Sequence, residues 1–168
     1  DLDSKFRSAI KLQFNKDKEY GYSKHLVALS GGLDCRMCSV VAHEMGYKDQ
    51  VNITFSQTDY WDQTEPMKMA RDMNHEWIFK SLDGGNWLYN VDDIVRLTGG
   101  NVLYFGSAHE YSLFKYLNYK QFGMLHSGQL GDVVLGSWIL AKDKEKKYSI
   151  GERGYSSKYL GDIRDLAL

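Results

Sequence analysis

The feature that most constrains the fold is a buried strand that passes through two glycines directly into a helix. Residues 25–29 form an apolar run with the length of a buried β-strand, and residues 34–46 have a helical pattern. Between them lie Ser30, Gly31 and Gly32. Glycine lets the backbone approach a ligand closely, and a helix N-terminus carries about half a positive charge. The stretch therefore predicts a phosphate-binding turn.

Strands and helices alternate along the chain. The pattern predicts helices at residues 1–14, 34–46, 64–74, 91–97 and 107–119, strands at 25–29, 51–55, 77–79 and 123–126, and loops at 15–24, 57–63 and 82–87. We expect Asp3 or Ser4 to cap the first helix, Gly46 to end the second, and Pro66 to lie in the first turn of the third. This alternation favours a parallel sheet with right-handed crossovers, whose ligands bind beyond the carboxyl ends of the strands.

A second glycine turn, Ser-Gly-Gln-Leu-Gly-Asp at residues 127–132, directly follows the fourth predicted strand. If that strand is a neighbour of the first, the two turns face one ligand. Asp34 would repel a phosphate unless a cation stood between them, so we expect Mg²⁺ held by Asp34 and Asp132. The alternative is a tight strand–helix turn in which Asp34 is only a favourable charge at the helix N-terminus. Neither turn has the full dinucleotide-binding or Walker A pattern.

The segment Leu-Ser-Gly-Gly-Leu-Asp at residues 29–34 resembles the signature of the PP-loop ATP pyrophosphatases. The resemblance covers roughly residues 24–138 and is closest to the synthetase domain of asparagine synthetase. Its further landmarks are Thr-Phe-Ser at residues 54–56, His-Glu at 75–76, and residues 127–138. It implies a three-layer, Rossmann-like α/β fold of the adenine nucleotide alpha hydrolase (PP-loop) type. It also implies an ATP-dependent carbon–nitrogen ligase that adenylates aspartate or a related carboxylate, releases pyrophosphate, and then forms an amide with ammonia.

The resemblance also implies roles for individual residues and for the cofactors ATP and Mg²⁺. The catalytic and magnesium-binding carboxylates would be Asp34 and Asp132, and the substrate contacts would be Gln129 and His109. The residues implied to bind ATP and pyrophosphate are Leu29, Ser30, Gly31, Gly32, Asp34, Cys35, Phe55, Ser56, Ser127 and Gly128.

The sequence departs from the family's pattern at three positions. Cys35 replaces the usual serine, Val133 replaces a glutamate, and Gln129 stands where asparagine synthetase commonly has a glutamate. Two other readings therefore stay open: a tRNA-modifying PP-loop enzyme and a nucleotide-binding module without turnover. A tRNA substrate is disfavoured by the formal net charge of −1 and by the lack of a basic patch.

Composition limits the organisation of the chain. With 168 residues, 43% of them hydrophobic, we expect one domain with its core at residues 24–141, a linker and tail at 142–168, and a longer parent protein. No stretch approaches the ~20 apolar residues of a membrane span. We expect a small-molecule carboxylate and an outside ammonia source as partners, and neither a membrane nor nucleic acid.

Cysteine and histidine residues are interpreted first as packing residues. Cys35 and Cys38 are too few for a disulfide scaffold, which favours the cytoplasm, and we place one in the turn and one in the core. Redox chemistry or half of a zinc site is the alternative for this pair. We interpret His126 as packing at a strand end, with catalysis as the alternative. The His109–Glu110 pair is expected on the surface or beside the substrate.

Overall fold

The core of the protein is a four-stranded parallel sheet with the strand order β3-β2-β1-β4. A computed structural model describes residues 1–101 and 106–128. Its elements are α1 (Leu2–Glu19), β1 (Lys24–Ala28), α2 (Leu33–Glu44), β2 (Gln50–Ser56), α3 (Trp61–Asp72), β3 (Glu76–Ser81), α4 (Val91–Leu97), α5 (Gly106–Phe114) and β4 (Phe122–His126), with 3-10 turns at Asp83–Asn90 and Tyr119–Gln121. No helix within these residues is long and apolar enough to cross a membrane.

Strand β1 lies between β2 and β4 and runs parallel to both. Leu26 is paired with Val51 of β2 and with Leu125 of β4, and Val27 is paired with His126. Because the strands are parallel, the carboxyl ends of β1 and β4 lie at one edge of the sheet. The condition under which the two glycine turns would face one ligand, that their strands are neighbours, is therefore met.

Helices cover both faces of the sheet, which makes the fold three-layered. On one face, Val27 packs with Phe14 of α1 and Ala42 of α2. On the other face, Leu26 packs with Leu113 of α5. Neighbouring residues of a strand point to opposite faces, so this alternation along β1 separates the two clusters. Full burial of one such large side chain contributes about 1.5–3 kcal/mol to folding.

A chain of buried and partly buried polar side chains joins β2 to helix α2 and to the segment between α3 and β3. Asn52 donates a hydrogen bond from Nδ2 to Oγ of Ser39 (3.2 Å), and its Oδ1 lies 2.8 Å from Nδ1 of His75. The Nε2 atom of His75 lies 2.8 Å from Nδ1 of His43. Burial, and then the neighbouring His43, lower the pKa of His75 to about 4. The neutral form of His75 is thus part of the folded structure.

The predicted strands and helices exist, but several of their boundaries were wrong. Helix α1 extends to Glu19, past the predicted end at residue 14, and its N-cap is Asp1, which accepts a bond from the Ser4 N–H. Helix α3 begins at Trp61, so the loop predicted at 57–63 is shorter, and Pro66 lies inside the helix rather than in its first turn.

Other boundaries differ on a smaller scale. Helix α5 ends at Phe114 instead of residue 119, and a 3-10 turn occupies much of the loop predicted at 82–87. Helix α4 matches its prediction, and Gly46 follows the end of α2 with φ +93°, as expected of a glycine there. Residues 129–168, which include the rest of the second glycine turn and the predicted tail, lie outside the described residues.

Candidate functional site

The first glycine turn carries the chain from the buried end of β1 into α2. Leu29 is 2% exposed, and its N–H donates to the Ile53 carbonyl at 2.9 Å. The Gly32 N–H donates to Oγ of Ser30 at 3.2 Å, which bends the turn. Gly32 is also the N-cap of α2 and has no side chain with which to cap the helix. The positive end of α2 is thus left for an outside anion.

The start of α3 packs directly on Gly31. Trp61 donates from Nε1 to the Gly31 carbonyl (3.1 Å), and Oδ1 of Asp62 accepts the Gly31 N–H (2.8 Å). A Cβ atom on Gly31 would lie 2.1 Å from Cδ1 of Trp61, so only glycine fits. A phosphate oxygen that binds the Gly31 N–H must therefore compete with a carboxylate. The sequence analysis did not predict either contact. Asp62, an acidic residue between β2 and the body of α3, was the one sequence feature that could have indicated its bond to Gly31.

The two glycine turns meet, as the sequence predicted. A Cβ atom on Gly128 would lie 2.3 Å from the carbonyl carbon of Asp34 and 2.5 Å from the nitrogen of Cys35. The Ser127 carbonyl accepts a long hydrogen bond from Sγ of Cys38 at 3.6 Å. The start of the second turn therefore rests on the first turn of α2, beside the half-buried Asp34.

The carboxyl end of β2 brings Phe55 together with His109 of α5. Their rings are 4.8 Å apart, and Trp87 lies 5.8 Å from His109 on another side. Ser56 is buried and donates from Oγ to the Gln57 carbonyl (2.9 Å). Burial lowers the pKa of His109.

Glu110, the next residue of α5, is also partly buried. Burial raises the pKa of its carboxyl group, and both side chains of the His109–Glu110 pair are only partly accessible. The interpretation of this pair as an exposed surface pair was wrong.

The cysteines lie where the sequence predicts them, one in the turn and one in the core, and His126 is buried at the end of β4, as expected. Both cysteines are free thiols, and burial raises the pKa of Cys38 to about 11, so that its thiol is protonated at neutral pH. Cys35 lies partly buried in the first turn of α2. The ring of His126 stacks on Phe14 at 3.9 Å, and burial lowers its pKa.

The donor set of the described site fits a phosphate. It offers the Ser30 hydroxyl, the backbone N–H groups of the turn, and the uncapped N-terminus of α2. Asp34, in the first turn of α2, is one carboxylate of the kind that holds Mg²⁺ together with phosphate oxygens. Asp132 and Gln129, the other predicted site residues on the second turn, lie outside the described residues.

Comparison with known proteins supports the fold. A scan against protein-family models and a search of curated proteins gave no match. Among solved structures, the chain is similar to an NH3-dependent NAD synthetase from Campylobacter jejuni, determined in complex with a nitrate ion. The TM-score is 0.51 and the identity 11%, over 79% of this chain and 58% of the synthetase chain.

The fold is Rossmann-like, a three-layered α/β fold. The parallel sheet, its helical layers and the likeness to the synthetase structure agree on this point. The sequence-based prediction of the fold class is confirmed. The chain spans less than two thirds of the length of the structure that it matches, and an identity of 11% shows the fold alone.

Proposed function

We propose that this chain is the nucleotide-binding part of an ATP-dependent carbon–nitrogen ligase. The observation that carries the proposal is the meeting of the two glycine turns beside the uncapped N-terminus of α2. Gly128 is packed on the Asp34–Cys35 peptide there, at the carboxyl edge of the sheet. The likeness to an NH3-dependent synthetase supports the same chemical class.

In this proposal the first turn holds the pyrophosphate portion of ATP. Ser30 would donate its hydroxyl, and the backbone N–H groups of Gly31 and Gly32 would exchange their present acceptors, Asp62 and Ser30, for phosphate oxygens. Asp34 and Asp132 would hold Mg²⁺, which supplies positive charge against the phosphates when it is bound. Catalysis by such a site comes mainly from positioning and charge neutralisation.

The remaining predicted residues take the flanks of the nucleotide and the acceptor. Leu29, Phe55 and Ser56 border the adenine and ribose, and Ser127 and Gly128 close the site from the second turn. The residues that we assign to the acceptor are His109, whose ring contacts the ring of Phe55 at the end of β2, and Gln129.

The acceptor that we propose is a small carboxylate, aspartate or a related acid, as in asparagine synthetase. Attack of the carboxylate on the α-phosphate gives an acyl-adenylate and pyrophosphate. Ammonia then displaces AMP to give the amide, and a glutaminase domain or subunit outside this chain supplies the ammonia. We place this chemistry in the cytoplasm, where the two free thiols stay reduced.

Two measurements test the proposal. Calorimetry with ATP and Mg²⁺ should show binding that Ser30→Ala weakens, whereas Ser4→Ala, on the exposed start of α1, should leave it unchanged. With a panel of carboxylates, the full-length protein should exchange labelled pyrophosphate into ATP. Binding without exchange for any acceptor identifies a nucleotide-binding module, and absence of ATP binding refutes the proposal. Salt-sensitive tRNA binding would favour the tRNA-modifying alternative.

A further inference from the structure

A buried cluster of one carboxylate and two imidazoles lies away from the glycine turns and plays no part in the proposed chemistry. Asp17, near the end of α1, is 0% exposed, and His25 and His126 are each 2% exposed. One oxygen of Asp17, Oδ2, lies 2.6 Å from Nδ1 of His25 and 2.6 Å from Nε2 of His126. Three ligand-type atoms from α1, β1 and β4 thus converge on one point.

The charge balance of the cluster leaves room for a cation. In the part of the chain that the structure describes, the charged-group partners of Asp17 are these two histidines, which offset its charge only if one of them is protonated, and no lysine or arginine reaches it. Its other oxygen, Oδ1, is buried without a hydrogen-bond partner among the described residues. Burying a carboxylate in this way is costly unless a positive charge compensates it.

Two aromatic rings and a glycine surround the cluster. The ring of Phe14 stacks on His126 at 3.9 Å, and the ring of Tyr47 lies edge-on to His25 at 5.6 Å. A Cβ atom on Gly123 would lie 2.6 Å from Oδ1 of Asp17, so the glycine keeps this side open to the carboxylate. The second ring nitrogen of His126, Nδ1, is buried without a hydrogen-bond partner among the described residues, so packing against Phe14 is what orients this ring.

We propose that Asp17, His25 and His126 form a structural site for a divalent transition metal ion, most suitably Zn²⁺. Imidazole nitrogens and a carboxylate are ligands of zinc, whereas Mg²⁺ and Ca²⁺ take oxygen ligands alone. Asp17, His25 and His126 offer one ligand atom each, and a water molecule would complete the four donors that zinc usually takes. Two zinc ligands that each lie about 2.0–2.1 Å from the ion are roughly 3.3 Å from one another. Zinc binding would therefore lengthen each 2.6 Å distance between Oδ2 of Asp17 and a ring nitrogen by about 0.7 Å.

Such an ion would tie α1 to the two strands that carry the glycine turns. Ser127 directly follows His126 in the second turn, and the first turn follows β1. A metal at this place would therefore stabilise the relative position of the turns without contacting the nucleotide. Its role is structural, and it does not depend on the proposed ligase activity.

The test uses variants that keep the hydrogen bonds but cannot ligate zinc. His126→Gln and His25→Asn place an amide N–H near the original ring nitrogen, so each can still donate to Asp17. The full chain, purified without chelator from zinc-supplemented cells, should contain about one zinc per chain by mass spectrometry. Both variants should lose that metal, while His43→Gln, in the other buried histidine pair, should keep it.

Spectroscopy, thermal melting and a cysteine variant test the identity of the metal and of its ligands. Refolding with Co²⁺ should give the visible absorption of a tetrahedral site, and Zn²⁺ but not Mg²⁺ should raise the melting temperature by several degrees. A Cys35→Ser/Cys38→Ser double variant should retain the metal, which excludes the thiols. Circular dichroism checks that each variant is folded. If the wild-type chain holds no zinc and no Co²⁺ spectrum forms, the cluster is an aspartate–histidine hydrogen-bond triad and the proposal is refuted.

Discussion

Replacing Gly128 by alanine should separate the two glycine turns. The new Cβ atom would lie 2.3 Å from the carbonyl carbon of Asp34 and 2.5 Å from its oxygen. Carbon atoms in favourable contact are about 3.5–4.0 Å apart, so the turns must move apart by about 1 Å. Since the atoms in the way belong to the backbone of α2, no side-chain rotation relieves the clash. We expect a loss near the upper end of the usual cost of overpacking, about 3 kcal/mol.

Urea denaturation and thermal melting measure this loss. A destabilisation of about 3 kcal/mol should lower the melting temperature by roughly 6–12 °C for a chain of this size. Gly32→Ala is the matched control: its Cβ would lie 3.4 Å from the nearest atom, Oγ of Ser30, and its φ of −72° suits any residue. We expect it to cost under about 1 kcal/mol, the loss of a glycine N-cap.

Two results would contradict this reasoning about Gly128. If the free energy of unfolding of Gly128→Ala lies within about 0.5 kcal/mol of the wild-type value, the two turns do not touch as described. If Gly32→Ala is equally destabilising, the cost lies in the glycine turns themselves rather than in their contact. ATP binding should also weaken in Gly128→Ala, because the contact positions both walls of the proposed site.

Three further predictions follow from charge and burial. Asp62→Asn should strengthen binding of ATP about five-fold, because the Asp62 carboxylate competes with phosphate for the Gly31 N–H. If calorimetry shows weaker binding instead, the carboxylate positions the turn. Because the pKa of His75 is lowered to about 4 in the folded chain, the unfolded chain binds more protons below pH 6.5. The free energy of unfolding in urea should therefore fall by up to about 3 kcal/mol between about pH 6.5 and pH 4. His75→Gln should reduce this dependence on pH. Since the pKa of Cys38 is raised to about 11, iodoacetamide should label Cys35 well before Cys38 in the folded protein, and equal labelling rates by mass spectrometry would refute that burial.

Local chemistry explains which parts of the fold the sequence could predict. The apolar run of β1, the two glycines and the helical pattern of α2 lie within about twenty residues, so their pattern is visible without tertiary contacts. The alternation of elements then favours a parallel sheet, and the edge where ligands bind follows from it. For the same reason Gly46 was expected at the end of α2 and adopts the positive φ predicted for it.

Contacts between distant segments explain the misses. Polarity suggested that α1 ends near residue 14, but the helix continues to Glu19 and buries Asp17 against His25 and His126. The last of these histidines is 109 residues away along the chain. No local pattern shows that a polar residue has such buried partners, so propensity was overridden by tertiary contacts.

The start of α3 is a second case of the same kind. Trp61 and Asp62 belong to the helix because both bond to the Gly31 peptide, about thirty residues earlier in the chain. In the sequence they follow a polar stretch that is typical of a loop. Their contacts place the Asp62 carboxylate on the first glycine turn, a feature that motif spacing does not contain.

The sequence by itself determined the glycine turn between β1 and α2, the fold class and the order of the elements, because glycine conformation and hydrophobic period are local properties. Only the tertiary structure decided that Gly128 rests on the start of α2, that Asp62 binds Gly31, and that Asp17 joins two distant histidines. The physical reason is that close packing and the pairing of buried charge depend on which surfaces meet. Sheet order sets those meetings, and β1 and β4 become neighbours only when the chain has folded.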